Sequence, residues 1–393
     1  MKILMLCGVF ARENQQEVID NAKAGVEFSA NQFQLKLIQG FHDGGYDLSV
    51  LSAPFVGSYP NASRIRTFKG FRDPQSLCRY VSFSNLWGYR NYSRARALKK
   101  AVSDFLADSD SDKRILVYSA HTPFLEAAAY AKKRDPKIKI CFYVPDLPDY
   151  MNLRADRSWI YDVAKKADIK KMSRLMESVD SYVLLTEQMK DRLPVGKKPC
   201  HVVEGIVSQF PAPAPESDSE EKYIVYTGKL DAAFGIRELV DAMALLDNPN
   251  YRLVLCGQGD SYDYAASHSD KRIMALGLVS PEEAAQWQRR AVVLVNPRAN
   301  VGEYTKYSFP SKNVEYLLSG RPVAACLLSG MPACYADFLY PIADGQNPAS
   351  IASTLSCAIE DDSRIKKEKY NAFLRYARQH LAADKIAGMV VDL

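Results

Sequence analysis

The chain has 393 residues, of which 47% are hydrophobic and 25% are charged. This composition is that of an average globular protein and excludes fibrous, collagen-like and mainly disordered chains. At about 100 to 200 residues per domain, the length predicts two or three domains. No apolar run reaches the roughly 18 residues of a membrane-spanning helix, and the N-terminal segment becomes polar too early for a signal peptide. We therefore expect a cytoplasmic protein.

The net charge of +5 is distributed unevenly along the chain. Residues 1–210 contain 32 Lys and Arg against 23 Asp and Glu, whereas residues 211–393 contain 19 against 23. The excess is concentrated in Ser58–Lys100, whose one acidic residue is Asp73. Its basic residues are Arg64, Arg66, Lys69, Arg72, Arg79, Arg90, Arg94, Arg96, Lys99 and Lys100. Aromatic residues are interleaved with these cations. The segment predicts either an ordinary solvated surface or a docking surface for an anionic partner, such as a membrane or a lipid diphosphate.

A second group of cations lies on a predicted helix and comprises Lys165, Lys166, Lys170, Lys171 and Arg174. No nucleic-acid-binding motif accompanies either group, so no nucleic-acid partner is expected. The eight cysteines contain no CxxC pair, and the five histidines are scattered. We therefore expect reduced thiols in the core and no metal site.

Short apolar runs alternate with helical patterns along the first half of the chain. The patterns predict strands at Lys2–Cys7, Asp47–Leu51, Ile115–Ser119, Ile138–Val144, Ser181–Leu185 and His201–Val203. Helices are predicted near Ser29–His42, Tyr89–Leu106, Phe124–Arg134 and Trp159–Glu177. The segment Phe210–Lys222, rich in Pro and then in acidic residues, is predicted to be an interdomain linker.

The same alternation resumes after the linker. It predicts strands at Tyr223–Tyr226, Tyr251–Cys256, Arg272–Ala275, Val292–Val295 and Pro322–Ala325. Helices are predicted at Ile236–Leu245, Pro281–Arg289 and Lys312–Leu318, and Ser363–Leu393 is helical in pattern.

Repeated strand–helix alternation predicts an α/β protein with two facing Rossmann-like domains and an interdomain cleft. We assign residues 1–209 to an N-terminal domain, 210–222 to the linker and 223–369 to a C-terminal domain. A helix at about 370–393 is expected to return and complete the first domain.

Two turns and one helix start in the second half have the chemistry of a phosphate site. A glycine turn at Gly228 follows a predicted strand and carries Lys229. The turn with Gly257 and Gly259 follows the next strand and is either a ligand loop or a plain tight turn. The helix after Pro310 leaves the amides of Ser311, Lys312 and Asn313 available to a diphosphate. Glu315 in that helix can accept paired hydrogen bonds from ribose hydroxyls, or it is a surface glutamate favoured by the helix dipole.

These segments, from YTGKL at Tyr226 through LCGQGD to NPR and SFPSKNVEYLLSGRPV, together resemble glycosyltransferase family 4. The resemblance implies the GT-B fold and a retaining, nucleotide-sugar-dependent transferase. It also implies that Glu315, as the second Glu of an E-x7-E motif, binds ribose. Ser311 and Lys312 would present amides to the diphosphate, Gly228 and Lys229 would line it, and Leu278 or Val279 would contact the base.

The chain departs from the family pattern at three positions. Tyr307 stands at the first Glu of E-x7-E, Phe234 at the usual Lys of the phosphate turn, and Lys229 at the usual Arg. Tyrosine is not a carboxylate, and phenylalanine cannot neutralise phosphate. The nucleotide-sugar site is therefore expected to include the nearby residues Arg298, Glu303, Lys306 and Tyr307.

The first half matches the family more loosely. The predicted loop Gly8–Gly25 and the helix from Ser29, which carries Asn31 and Phe33, lie where the family places an acceptor or a covering loop. His121 follows one predicted strand, and Asp146 and Asp149 follow the next, so the carboxyl-end rule places all three at one edge of the sheet. We take Asp146, Asp149, His121 and Lys229 as candidate catalytic residues. A structural role for His121 is the alternative.

We expect transfer of a hexosyl unit from a nucleotide-diphosphate sugar, with a UDP-sugar preferred, to a saccharide or lipid-linked saccharide in cell-surface polysaccharide biosynthesis. No cofactor and no metal are expected, and an anionic surface at the inner face of the membrane is a further expected partner. The alternatives are a non-catalytic sugar-nucleotide-binding protein and a nucleotide-sugar 2-epimerase. The string Asp108–Asp112 resembles a metal-binding D-x-D motif but is predicted to be a solvated turn.

Overall fold

The computed structural model describes residues 1–23, 28–73, 78–107, 112–150, 159–213 and 220–393. They form two compact units, one of Met1–Ser208 with His380–Leu393 and one of Gln209–Gln379. Part of the predicted linker and most of the D-x-D string lie outside the described residues. The described remainder of the linker belongs to the second unit.

A parallel sheet forms the centre of unit 1. The strands of the unit are β1 (Lys2–Cys7), β2 (Leu48–Ser52), β3 (Thr67–Phe68), β4 (Cys78–Tyr80), β5 (Phe83–Ser84), β6 (Lys113–Tyr118), β7 (Lys139–Val144), β8 (Ser181–Leu184) and β9 (Cys200–Val202). Their order in the sheet is β4-β2-β1-β6-β7-β8-β9, and β3 and β5 pair separately in antiparallel fashion. Strands β1, β6 and β7 are apolar and buried along most of their length, as expected for a parallel sheet that is covered on both faces.

The helices of this part of unit 1 are α1 (Arg12–Asn21), α2 (Phe28–Asp43), α3 (Arg90–Leu106), α4 (Thr122–Arg134) and α5 (Trp159–Leu175). The segment after β1, which the sequence predicts as a loop, contains α1. This helix is strongly polar and so lacks a clear apolar stripe, although Val18 is buried.

Helix α2 holds the backbone that leaves β1. The side-chain oxygen of Gln34 accepts a hydrogen bond from the Gly8 amide at 2.8 Å. Asn31 accepts one from the Phe10 amide at 2.8 Å and donates to the Phe10 carbonyl at 3.3 Å. Both side chains are buried, so they supply partners that the backbone would otherwise lack.

Unit 2 contains a second parallel sheet. Its strands are β10 (Lys222–Thr227), β11 (Tyr251–Cys256), β12 (Ile273–Gly277), β13 (Ala291–Asn296), β14 (Val323–Ala325) and β15 (Tyr340–Pro341), in the order β12-β11-β10-β13-β14-β15. Its helices are α6 (Ile236–Ala242), α7 (Tyr262–Ala266), α8 (Pro281–Arg290), α9 (Ser311–Leu318), α10 (Tyr335–Phe338), α11 (Pro348–Glu360) and α12 (Ser363–His380).

The two ends of the terminal helical segment belong to different units. Helix α12 packs in unit 2, where Phe373 lies 5.7 Å from Phe338 and Tyr376 lies 5.8 Å from Tyr335 between ring centroids. The last helix, α13 (Ala383–Asp392), packs on α2 in unit 1. The returning segment therefore begins at His380 instead of about residue 370, because the aromatic residues of α12 hold that helix in unit 2.

The predicted α/β class, with two Rossmann-like parallel sheets, is confirmed. All eight cysteines are free thiols, and five of them are buried. Within the described ranges, no helix has the length and apolar character needed to cross a bilayer.

We predict that Asn31→Ala lowers the free energy of unfolding of the chain by about 1 to 3 kcal/mol, because it leaves the buried Phe10 amide without an acceptor. Urea unfolding measures the change. Gln32→Ala, at the exposed neighbouring position, is the matched control and should unfold like the wild type. Equal midpoints for the two variants would show that the Asn31 bonds contribute no stability.

Candidate functional site

Two glycine turns meet at the carboxyl end of the sheet in unit 2. Gly228 follows β10 with φ +153°, and Gly257 follows β11 with φ +149°. A Cβ atom on Gly257 would lie 1.7 Å from the carbonyl oxygen of Gly228, and one on Gly228 would lie 2.6 Å from Cε of Lys312. The turns are this close because neither residue has a side chain.

Backbone and carboxylate hydrogen bonds lock the two turns together. The Leu230 amide donates to the Gln258 carbonyl at 2.9 Å. Asp260 accepts from the Ala232 amide at 2.8 Å, and Asp231 accepts from the Asp260 amide at 3.1 Å. Gly259 contacts the same segment, since a Cβ there would meet the Leu230 carbonyl at 2.4 Å. The backbone that surrounds Gly228 is therefore preorganised.

The first turn of α9 is anchored to the sheet by side chains. Buried Asn296, at the end of β13, donates to the side-chain oxygen of buried Asn313 at 2.7 Å. The Asn313 amide donates to the Pro310 carbonyl at 2.8 Å, so it is not available to a ligand as the sequence predicted. The amides of Ser311 and Lys312 have no partner among the described residues, and the positive end of the helix dipole lies there.

Residues of α9 also contact the end of β10. The hydroxyl of buried Tyr316 accepts from the Thr227 amide at 2.8 Å, and burial raises the pKa of this phenol well above its ordinary value, so that it stays neutral. The ammonium group of Lys312 lies 3.5 Å from the Thr227 hydroxyl. Lys312 thus brings a cation, in addition to its amide, to the turn at Gly228.

Glu315 is exposed on α9, and its carboxylate is held in place by one neighbour. The side-chain amide of buried Gln288, on α8, donates to Oε1 of Glu315 at 2.6 Å and to Oγ1 of Thr227 at 3.1 Å. Among the described residues, the second carboxylate oxygen of Glu315 has no hydrogen-bond partner, so it is accessible to a ligand. Sequence reasoning missed Gln288, and a glutamine within a predicted surface helix gives no signal of this role.

An exposed apolar residue lies beside the glycine turns. The Gly257 amide donates to the Gly277 carbonyl at 2.7 Å, which places the end of β12 next to that turn. Leu278 follows and is 79% exposed, whereas Val279 is half-buried. Leu278 is therefore accessible to a ligand at this edge of the sheet.

The segment after β13 carries the other predicted donor-site residues. Glu303 and Lys306 are exposed on a short 3-10 helix, Glu303–Tyr307. Tyr307 is 7% exposed and belongs to the core, so it does not replace a carboxylate at the surface. Arg298 is half-buried and contacts the rings of Phe234 and Tyr304. Lys229 is exposed, and its ammonium group has no partner among the described residues.

In unit 1, the predicted catalytic residues follow adjacent strands. Tyr118 of β6 pairs with Tyr143 of β7 in register, and the negative charge of Asp146 helps burial to raise the pKa of Tyr118. Asp146 and Asp149 are both exposed at the end of β7. His121, after β6, is half-buried between Phe55 and Phe124 at centroid distances of 5.7 and 4.9 Å.

His121 is paired with a buried cation. Nη1 of Arg94 lies 3.3 Å from Nε2 of His121, and because a guanidinium only donates, the imidazole carries its proton on Nδ1. Burial, Arg94 and Arg90 lower the pKa of His121 well below its ordinary value, so the ring is neutral at physiological pH. Arg94 is 1% exposed and lies on the ring of Phe83. It therefore does not belong to the basic surface in which the sequence placed it.

The two predicted acceptor residues differ in their surroundings. Asn31 is buried and its side chain is fully used by Phe10, so we correct its assignment to a structural one. Phe33 is half-buried and packs on Tyr118 and Tyr143 at centroid distances of 5.8 and 5.5 Å, at the same edge of the sheet as Asp146. In the described part of the chain, no three His, Cys, Asp or Glu side chains are grouped as metal ligands.

Comparison with known proteins gives one family and a set of structural neighbours. Residues 221–361 match the family model described as Glycosyl transferases group 1. No curated protein matches the chain. HepE of Anabaena, in complex with UDP, is 15% identical with a TM-score of 0.61 over 100% of this chain and 99% of that one. Sucrose-phosphate synthase of Thermosynechococcus elongatus is 16% identical with a TM-score of 0.62 over 100% and 98%.

A third neighbour, the trehalose 6-phosphate synthase of Burkholderia multivorans, is 12% identical with a TM-score of 0.57 over 100% of this chain and 94% of that one. At these identities, the similarity shows the fold. The chain therefore has the GT-B fold, and its residues 221–361 match the model of the Glycosyl transferases group 1 family.

Proposed function

We propose that the protein is a retaining hexosyltransferase that uses a nucleotide-diphosphate sugar, with a UDP-sugar as the preferred donor. The observation that carries this proposal is the start of α9, where the free amides of Ser311 and Lys312 lie beside the turn at Gly228. Two free amides, a helix dipole and an ammonium group together are typical of a phosphate site. UDP bound to the structural neighbour HepE supports the choice of nucleotide.

The remaining groups of the site fit the other parts of such a donor. Glu315, oriented by Gln288, accepts hydrogen bonds from the ribose hydroxyls. Leu278 contacts the base from its exposed position. Departure of the nucleoside diphosphate builds negative charge on the phosphates, and the α9 amides with Lys312 and Lys229 stabilise that charge in the transition state. These groups perform that role without a metal.

The acceptor is proposed to be a saccharide or lipid-linked saccharide that binds unit 1, in the synthesis of a cell-surface polysaccharide. Exposed Asp146 and Asp149 are the carboxylates that assist its hydroxyl group. Neutral His121 carries a proton on Nδ1 and can donate a hydrogen bond, but it is not a cationic general acid. Retention of configuration is the stereochemical course that the family resemblance implies.

A surface on unit 1 supports attachment to an anionic membrane at the cytoplasmic side. Trp87, Tyr89 and Tyr92 are 56%, 45% and 61% exposed, and they adjoin the exposed Arg64 and Arg66. The two segments are joined, since the Asn85 amide donates to the Arg66 carbonyl at 2.9 Å. Exposed aromatic rings next to cations suit the interface between lipid headgroups and acyl chains.

Turnover tests the proposal against its alternatives. We expect the full chain to transfer or slowly hydrolyse a sugar from at least one member of a panel of nucleotide sugars. Binding of a nucleoside diphosphate with neither reaction would instead indicate a sugar-nucleotide-binding protein, which the buried Tyr307 in place of the family's first Glu would favour. Acceptor-independent release of free nucleotide with a sugar inverted at C2 would indicate a 2-epimerase.

Replacing Glu315 should weaken donor binding. We predict that Glu315→Ala weakens binding of the nucleoside diphosphate by about 1.5 to 3 kcal/mol, because a charge-assisted contact with ribose is lost. Isothermal titration calorimetry measures the change. Glu282→Ala, at an exposed position in the first turn of α8, is the matched control. A loss below a few tenths of a kcal/mol would contradict the ribose assignment.

Membrane attachment should depend on both charge and the aromatic residues. We predict that the chain sediments with vesicles that contain anionic lipid and is released as salt rises, because the Debye length falls from ~10 Å at 0.1 M to ~3 Å at 1 M. We expect reduced binding by two double variants. One carries Trp87→Ala and Tyr92→Ala, and the other carries Arg64→Gln and Arg66→Gln. Arg364→Gln with Lys367→Gln, exposed on α12, is the control pair. Equal binding by all these variants would disprove the assignment of the surface.

A further inference from the structure

The guanidinium group of Arg298 is held between two aromatic rings in unit 2. Its Cζ atom lies 5.4 Å from the ring centroid of Phe234 and 5.3 Å from that of Tyr304. Nη2 donates a hydrogen bond to the Ser308 hydroxyl at 3.3 Å. Aromatic faces attract a cation and restrict the plane of a guanidinium, so the group is positioned before any ligand arrives.

The charge of Arg298 is not balanced within the described part of the chain. Among the described residues, no carboxylate pairs with it, and its Nε is buried without a hydrogen-bond partner. A guanidinium has five N–H donors, and Ser308 takes up one of them. A positioned cation with unpaired N–H donors can donate hydrogen bonds to an anionic ligand.

Arg298 lies beside the same turn as the free α9 amides. Phe234 ends the short helix Ala232–Phe234 that follows the Gly228 turn, and Arg298 follows β13, which pairs with β10. Burial raises the pKa of Tyr226, whose hydroxyl lies at the Gly228 turn, and the charge of Arg298 opposes that rise. The Tyr226 hydroxyl in turn donates to the Lys229 carbonyl at 2.9 Å.

We propose that Arg298 binds the diphosphate group of the nucleotide sugar and supplies the positive charge that the family lysine would supply at position 234. This inference rests on the proposed function. Phe234, which stands in place of the lysine, provides the ring face against which Arg298 packs. A guanidinium fork can donate two parallel hydrogen bonds to phosphate oxygens, which a lysine cannot do.

Exchange of charge between the two positions provides the test. The full chain is titrated with UDP, UMP and uridine, and the diphosphate series of the other bases is used if UDP does not bind. We expect Arg298→Ala to raise the Kd for UDP about 10- to 100-fold, as for a lost charge-assisted hydrogen bond, and to leave uridine binding unchanged. Adding Phe234→Lys to Arg298→Ala should recover a large part of the loss. Arg298→Lys should be intermediate.

The outcomes separate the inference from the function on which it depends. If the wild type binds UDP and Arg298→Ala binds it within twofold as tightly, the inference is wrong and the proposed function stands. If the wild type binds no nucleoside diphosphate, the proposed function itself fails. Should Arg298→Ala not fold, Phe234→Leu removes one aromatic face and keeps the charge. It should then weaken UDP several-fold and leave uridine unchanged, and unchanged UDP binding would overturn the inference.

Discussion

The docking of α9 on the end of the second sheet determines the geometry of the candidate site. The two shortest hydrogen bonds of this attachment run from Asn296 to Asn313 at 2.7 Å and from the Thr227 amide to the Tyr316 hydroxyl at 2.8 Å. Both are buried, so breaking either would leave polar groups unsatisfied in the core. They hold the first turn of α9 at the carboxyl edge, where its two free amides stand next to the glycine turns. A helix start that moved freely could not stabilise charge without reorganisation.

Positive charge is distributed differently in the two units. In unit 2, Lys312 and Lys229 lie at the turn after β10, and Arg298 follows β13, which pairs with β10. Lys229 and Arg298 have no carboxylate partner in the described residues. In unit 1, cations of the basic segment form ion pairs with acidic residues of the same unit. Arg79 pairs with Asp104 at 2.6 Å, and Lys99 pairs with Glu126 at 2.8 Å. An excess of basic residues in the sequence therefore overstates the cationic surface of unit 1, whereas a few cations in acidic unit 2 are concentrated at the candidate site.

The sequence pattern predicts the central strands and most helices, but it does not predict the elements that form only through tertiary contacts. Apolar runs such as β1 and β11 have the bounds that the pattern predicts, because a strand buried on both faces leaves a continuous apolar signal. Helix α1 and the short strands β3 to β5 were missed, since polar or very short segments carry no period. The roles of Asn31, Gln288 and Arg94 depend on residues distant in sequence, and no local pattern reveals such partners. Glu315 and Ser311 could be proposed as site residues from the sequence because their motif is local.

The most direct test of the account is a crystal structure of the full chain with the nucleoside diphosphate that binds it most tightly. We predict that the phosphates contact the amides of Ser311 and Lys312 and that a ribose hydroxyl lies within hydrogen-bond distance of Glu315. A nucleotide bound elsewhere, or a protein side chain occupying the space before α9, would contradict the central claim.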